Sequence, residues 1–296
     1  MDSRALTLAF IGFGEAGEAF ASSLDRSGLA DVRAFDVQSD GALTERLQRA
    51  QVIGCASLAE ALNGADWVIS VVTADQANAV AIEAAALLST GALFFDCNSC
   101  APQTKQRSAA AITAAGGRYV DVAVMAPVLP ARNRTPLLIS GEHCDSALDA
   151  LNRLNLNASI QAGPVGKASS VKMVRSIMVK GLEALTAECV LAGRLAGVED
   201  DVLASLNASH PGADWAQRSA YNFERMLNHG GRRAAEMTEV CHFLNELGMA
   251  EPLSERTVSW QRRLGELNLA EAANDDVRVT ADALISALKL QPLTED

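Results

Sequence analysis

The 296-residue chain predicts two domains of different class. An α/β domain over residues 1–163 precedes an all-helical domain over residues 164–296, and one long helix joins them. Three observations carry this. Short apolar runs alternate with alanine-rich stretches as far as residue 163, the pattern of a parallel sheet wrapped by helices. After Gly163-Pro164-Val165-Gly166 no strand-like run recurs. Residues 168–195 then continue without proline, which reads as a single helix.

In chain order, the strand-like runs are 6–11, 32–35, 67–72, 92–95, 119–124 and 136–139. Each is short and apolar, as strands covered on both faces should be. Helical patterns fill 15–27, 58–63, 77–88 and 104–115. In the second half the pattern predicts helices over 202–206, 215–227, 232–247, 253–267 and 280–288. Pro211-Gly212, Gly230-Gly231, Gly248 and Pro252 serve as the breaks.

Hydrophobic residues make up 49% and charged residues 21%, enough aliphatic surface for a core and too much for a disordered chain. The 36 acidic residues outnumber 25 basic ones, a net charge of -11 that argues against nucleic-acid binding through a basic surface. A small anionic substrate then needs a local basic pocket. No apolar run approaches ~18 residues, and the first ten residues lack a basic-then-apolar leader. The expectation is a cytoplasmic protein with no membrane span. Among six cysteines only Cys97 and Cys100 have C-x-x-C spacing. Without a second pair or clustered histidines they read as reduced thiols, and no metal is expected.

The string Gly12-Phe13-Gly14-Glu15-Ala16-Gly17 follows the first strand and opens the first helix. This is G-x-G-x-x-G in the context that gives it meaning: Gly12 for the turn, Gly14 for close approach of a pyrophosphate, Gly17 for helix–strand packing. Asp36 ends the second strand 19 residues after Gly17, where a carboxylate accepts from a ribose 2′-hydroxyl and repels a 2′-phosphate. A Rossmann-type dinucleotide site is therefore expected. Asp36 favours NAD, while NADP stays open. Val72 and Thr73, at the end of the third strand, and Asn98, after the fourth, complete the expected cofactor contacts.

Only five lysines occur, at 105, 167, 172, 180 and 289, against 20 arginines. Lysine, unlike arginine, can lose its proton when partly buried, so Lys172 and Lys180 on the long helix are candidate general acid/base groups.

Together these segments resemble the β-hydroxyacid dehydrogenases, the family of 3-hydroxyisobutyrate and 6-phosphogluconate dehydrogenases, through four motifs. They are Gly12 to Gly17, Asp96-Cys97-Asn98-Ser99-Cys100-Ala101-Pro102, Tyr119 to Pro127, and the G-x-x-G turn with Lys172 six residues beyond it. The resemblance implies that Lys172 is the catalytic lysine. It implies that Asn98 and Ser99 orient substrate and nicotinamide. Met125 and Ala126 stand where the family's substrate loop carries small residues. Arg175 and Ser176 replace the family's paired asparagines after the lysine, and Val179 replaces the glutamate of the decarboxylating enzymes, which disfavours decarboxylation. His229, Arg232 and Arg233, with Glu236 and Met237, are similar to a pattern in a subgroup with its own helical domain, and are candidate substrate contacts.

The implied activity is hydride transfer between NAD(P) and a small β-hydroxy acid or sugar acid, in a homodimer. The alternatives are an imine reductase-like enzyme and a non-catalytic dinucleotide-sensing protein.

Overall fold

The computed structural model describes residues 5–250 and 252–291 and forms two compact units, Met1–Met173 and Val174–Asp296. The first unit contains β1 (Leu6–Ile11), α1 (Glu15–Ala21), β2 (Leu29–Phe35), α2 (Gly41–Ala50), β3 (Ile53–Gly54), α3 (Leu58–Leu62), β4 (Trp67–Ser70) and α4 (Ala77–Ala85). It continues through β5 (Leu93–Asp96), α5 (Pro102–Ala114), β6 (Arg118–Val124), β7 (Leu137–Ser140), α6 (Cys144–Arg153) and β8 (Ala158–Ile160) to the start of α7 (Lys167–Leu195).

The eight strands form one sheet in the order β3-β2-β1-β4-β5-β6-β7-β8. Every neighbouring pair is parallel except β6 and β7. The order reverses between β1 and β4, the point at which doubly wound sheets bind ligands at their carboxyl ends.

Alternate residues serve opposite faces. Leu8, Phe10, Ile69 and Phe95 join one core with α1 and α6, while Ala9, Ile11, Val68 and Phe94 join another with α3, α4 and α5. Covering both faces makes these strands continuous apolar runs, and each large side chain buried contributes roughly 1.5–3 kcal/mol.

Four elements lie outside the sequence expectation: α2, β3, α6 and β8. The two strands are edge pieces of two and three residues with little apolar content. The two helices are polar on average, each with one narrow apolar stripe, Leu43, Leu47 and Ala50 in α2 and Cys144, Ala147, Leu148 and Leu151 in α6.

The second unit holds the rest of α7 with α8 (Glu199–Ser209), α9 (Trp215–Glu246), α10 (Ser254–Gly265) and α11 (Val277–Leu288), and among its described residues no strand occurs. Ala187, Val190 and Leu191 of α7 pack with Phe223, Met226 and Leu227 of α9 and Leu284 of α11.

Helices expected over 215–227 and 232–247 are one helix of 32 residues, continuous through Gly230-Gly231. The reason is packing. A Cβ on Gly230 would lie 2.3 Å from the Gln261 carbonyl oxygen and 2.7 Å from Gly265 Cα. Gly230 lets α9 and α10 touch backbone to backbone rather than ending a helix. No helix among the described residues is long and apolar enough to cross a membrane.

Candidate active site

The glycine-rich turn leaves β1 at the reversal point of the sheet. Gly12 has φ +85°, and a Cβ there would lie 2.7 Å from the Val71 carbonyl oxygen, so only glycine fits. A Cβ on Gly17 would lie 2.9 Å from the Gly12 carbonyl oxygen. Gly14 differs: a Cβ there meets nothing within 4 Å. Its packing gives no reason for glycine, and the turn lies open above it. Gly14 also starts α1 without any side-chain cap. An open glycine turn before an uncapped helix start fits a pyrophosphate.

Asp36 stands at the end of β2 beside this turn. Its Oδ2 accepts from Phe13 N at 2.6 Å and its Oδ1 from Gln38 N at 2.9 Å, which fixes the carboxylate against the glycine-rich turn. Arg33 faces elsewhere, bonded to Asp31 and the Asn63 carbonyl. Arg46 on α2 reaches the loop instead, its Nε donating to the Phe13 carbonyl at 3.1 Å. Nothing in the local sequence marks Arg46, because its position depends on how α2 packs.

Beyond β4 and β5, the Asn98 amide ties two loops together. Its Oδ1 accepts from Val72 N at 2.6 Å, and its Nδ2 donates to Ser70 Oγ at 3.0 Å and Asp96 Oδ1 at 2.8 Å. Asn98 is buried, so its side chain acts on Val72 and the loop framework. Thr73, next in line, is exposed. Ser99 points outward, and Lys172 Nζ donates to its Oγ at 2.5 Å. The sequence-predicted lysine and serine, 73 positions apart, thus meet.

Beneath them lies a buried charge cluster absent from the sequence expectation. Lys105 of α5 is fully buried. Its Nζ donates to the Asp96 carbonyl at 2.6 Å and Oδ1 at 3.0 Å, and lies 3.5 Å from Asp121 Oδ1. Burial alone would depress its pKa, but Asp96, the Cys100 thiol and Asp121 outweigh that and raise it above the usual lysine value. Tyr119 donates to Asp96 Oδ2 at 2.6 Å and is kept protonated by burial and by that carboxylate. Burial also pushes the Cys97 thiol up to about 12, so this cysteine is an inert thiol.

The substrate-loop residues follow β6: Met125 is half-buried, with its N–H donating to the Pro136 carbonyl, and Ala126 is exposed. On α7, Arg175 is exposed, whereas Ser176 is buried and accepts from Lys180 Nζ at 3.1 Å.

The candidates on α9 separate. Arg232 is exposed, 3.8 Å from Glu236. His229 is half-buried one turn earlier. Arg233, expected to face substrate, is 8% exposed and bonded to Glu183, which also accepts from Gln261 Nε2 at 2.7 Å. Position 233 falls on the core side of a continuous helix, not at a helix start, and its guanidinium is committed there.

The NAD binding domain of 6-phosphogluconate dehydrogenase matches residues 7–154, and a domain of unknown function (DUF1932) matches 194–264. A 3-hydroxyisobutyrate dehydrogenase of Pseudomonas aeruginosa is 31% identical over 215 residues, 71% of each chain. The chain belongs to the β-hydroxyacid dehydrogenase family. These β-hydroxyacid dehydrogenases take a nicotinamide cofactor, and the matched domain is the NAD-binding one. A conserved hypothetical protein from Sinorhizobium meliloti is 34% identical, with TM-score 0.74 and coverage of 94% of this chain and 96% of that one. The Mycobacterium tuberculosis 3-hydroxyisobutyrate dehydrogenase shares the β-hydroxyacid dehydrogenase fold at 17% identity, with TM-score 0.70 and coverage of 96% and 99%.

Proposed function

We propose that this β-hydroxyacid dehydrogenase family member transfers a hydride between NAD and a small β-hydroxy acid or sugar acid, with Lys172 as general acid/base. The observation that carries the reading is the 2.5 Å hydrogen bond from Lys172 Nζ to Ser99 Oγ, on the loop that follows β5. A bound nicotinamide supplies the hydride acceptor in oxidation and the donor in reduction. Lys172 Nζ takes the substrate hydroxyl proton during oxidation and returns it to the carbonyl oxygen during reduction. As an ammonium it also stabilises the developing alkoxide. Ser99 Oγ holds Nζ in place and hydrogen-bonds the substrate. Asn98 keeps the loop in register through Val72 N–H.

The carboxylate at the end of β2 supports NAD, since Asp36 would repel a 2′-phosphate. Arg175, exposed and one helical turn beyond Lys172 on α7, is the cation we assign to the substrate carboxylate. A homodimer is supported by exposed Val174, Met178 and Leu185, which recur at helical spacing along one side of α7.

The test follows reduced nicotinamide by absorbance while wild type and Lys172→Ala oxidise a panel of 3-hydroxy acids and sugar acids with NAD and with NADP. Turnover lost in the variant, with cofactor binding retained, is the expected result. Equal turnover in both proteins overturns the role of Lys172. Turnover with cyclic imines alone would move the reading to imine reduction.

A further inference from the structure

We propose that Lys105 is a positioning residue whose buried ammonium sets the Ser99–Lys172 contact, a step that rests on Lys172 being the acid/base. The geometry is a closed ring of interactions through one cation. On one side Asp96 accepts from Lys105 and from Asn98 N at 3.0 Å and Asn98 Nδ2 at 2.8 Å, and Ser99 is the next residue. On the other side Asp121 lies 3.5 Å from Lys105 Nζ. Asp121 accepts from Gly166 N at 3.0 Å, Ser169 N at 3.1 Å and Ser169 Oγ at 2.6 Å. Ser169 precedes Lys172 by three residues on α7, one helical turn. Both partners of the 2.5 Å bond are therefore tethered to the same ammonium.

The chemistry of the cluster calls for lysine. Asp96 and Asp121 end up fully buried on adjacent strands, where two uncompensated carboxylates would repel across a medium of low dielectric. A compact ammonium with three donors can face both carboxylates and the Asp96 carbonyl at once. The titratable and charged groups facing it from β5, β6 and the loop before α5 are Asp96, Cys97, Cys100, Tyr119 and Asp121. Lys105 is wholly enclosed and cannot touch substrate, so it acts through its neighbours.

The experiment uses the full-length protein labelled with ¹³Cε-lysine. Its five lysines give five signals, and Lys172→Arg assigns the one that matters. The Lys172 titration midpoint and the steady-state kinetics are compared in wild type, Lys105→Met and Ser169→Ala. The expected result is a Lys172 midpoint displaced by at least about half a pH unit in both variants. We also expect kcat to fall roughly 10- to 100-fold while KM changes less than about threefold. Combining Lys105→Met with Ser99→Ala should cost less than the two separate losses multiplied, because both act on one contact. A purely structural lysine would move the melting temperature and leave the Lys172 midpoint in place, and that result overturns the proposal. If Lys105→Met does not fold, Ser169→Ala decides by the same criterion. Turnover persisting in Lys172→Ala would strike the acid/base reading alone, since the displaced Lys172 signal is read without turnover.

Discussion

Ser169 and Asp121 are joined twice: Ser169 Oγ donates to Oδ1 at 2.6 Å and Ser169 N donates to Oδ2 at 3.1 Å. One carboxylate on β6 thereby collects the first turn of α7, whose opening N–H groups have no helical partners of their own. The compact first unit reaches Met173 for this reason, past the turn at Gly163-Pro164-Val165-Gly166. Asp121→Ala leaves Lys105 and several donors buried without this acceptor. It should cost about 3–5 kcal/mol in denaturant unfolding. Ser140→Ala, which removes a 2.9 Å bond to the same carboxylate and the 3.0 Å bond from the buried Ala168 N–H, should cost about 1–3 kcal/mol.

The first two glycines of the glycine-rich turn should part company on mutation. Gly14→Ala meets no neighbour within 4 Å and should fold with wild-type stability, yet bind NAD at least about tenfold more weakly. Gly12→Ala forces a side chain at φ +85° against the Val71 carbonyl and should lose stability as well. Calorimetric titration with NAD beside thermal melts separates the two. A Gly14→Ala protein that binds NAD normally would remove the turn from the cofactor site.

Adjacent arginines on α9 offer a second contrast. Arg233→Ala strands the buried Glu183 carboxylate and should destabilise by about 3–5 kcal/mol. Arg232→Ala breaks only an exposed 3.8 Å pair and should stay within about 0.5 kcal/mol of wild type.

Gly230→Ala and Gly231→Ala should move stability in opposite directions. The first drives a Cβ into α10 and should destabilise by roughly 1–3 kcal/mol or more. The second meets nothing within 4 Å and should gain up to about 1 kcal/mol from helix propensity. Matched urea curves decide it, and equal effects would mean that α9 and α10 do not touch at Gly230.

The proposed homodimer can be tested on α7. Met178→Glu or Leu185→Glu should yield monomers by light scattering, since each places a charge on an exposed apolar side chain.

What the sequence could disclose followed from covalent proximity and burial. Strands covered on both faces announce themselves as apolar runs, and the Gly12 turn and Asp36 carry their chemistry in spacing alone. The Lys172–Ser99 pair needed a family resemblance, because nothing local relates residues so far apart. Lys105 escaped because Thr104-Lys105-Gln106 looks like any solvated helix face. The available signal lay elsewhere: Asp96 and Asp121 close or interrupt two buried strands, and paired buried carboxylates require a cation. Gly230-Gly231 misled for a related reason, since a glycine that ends a helix and one that admits a neighbouring backbone are written alike.

Both margins of the eight-stranded sheet end in stubs, two residues of β3 at one side and three of β8 at the other. A long bare margin would present a row of unpaired N–H and C=O groups to any other chain in extended form. Here each edge strand itself offers only a bond or two. Edge strands so short give another extended chain little to pair with, and the long apolar strands lie inside them.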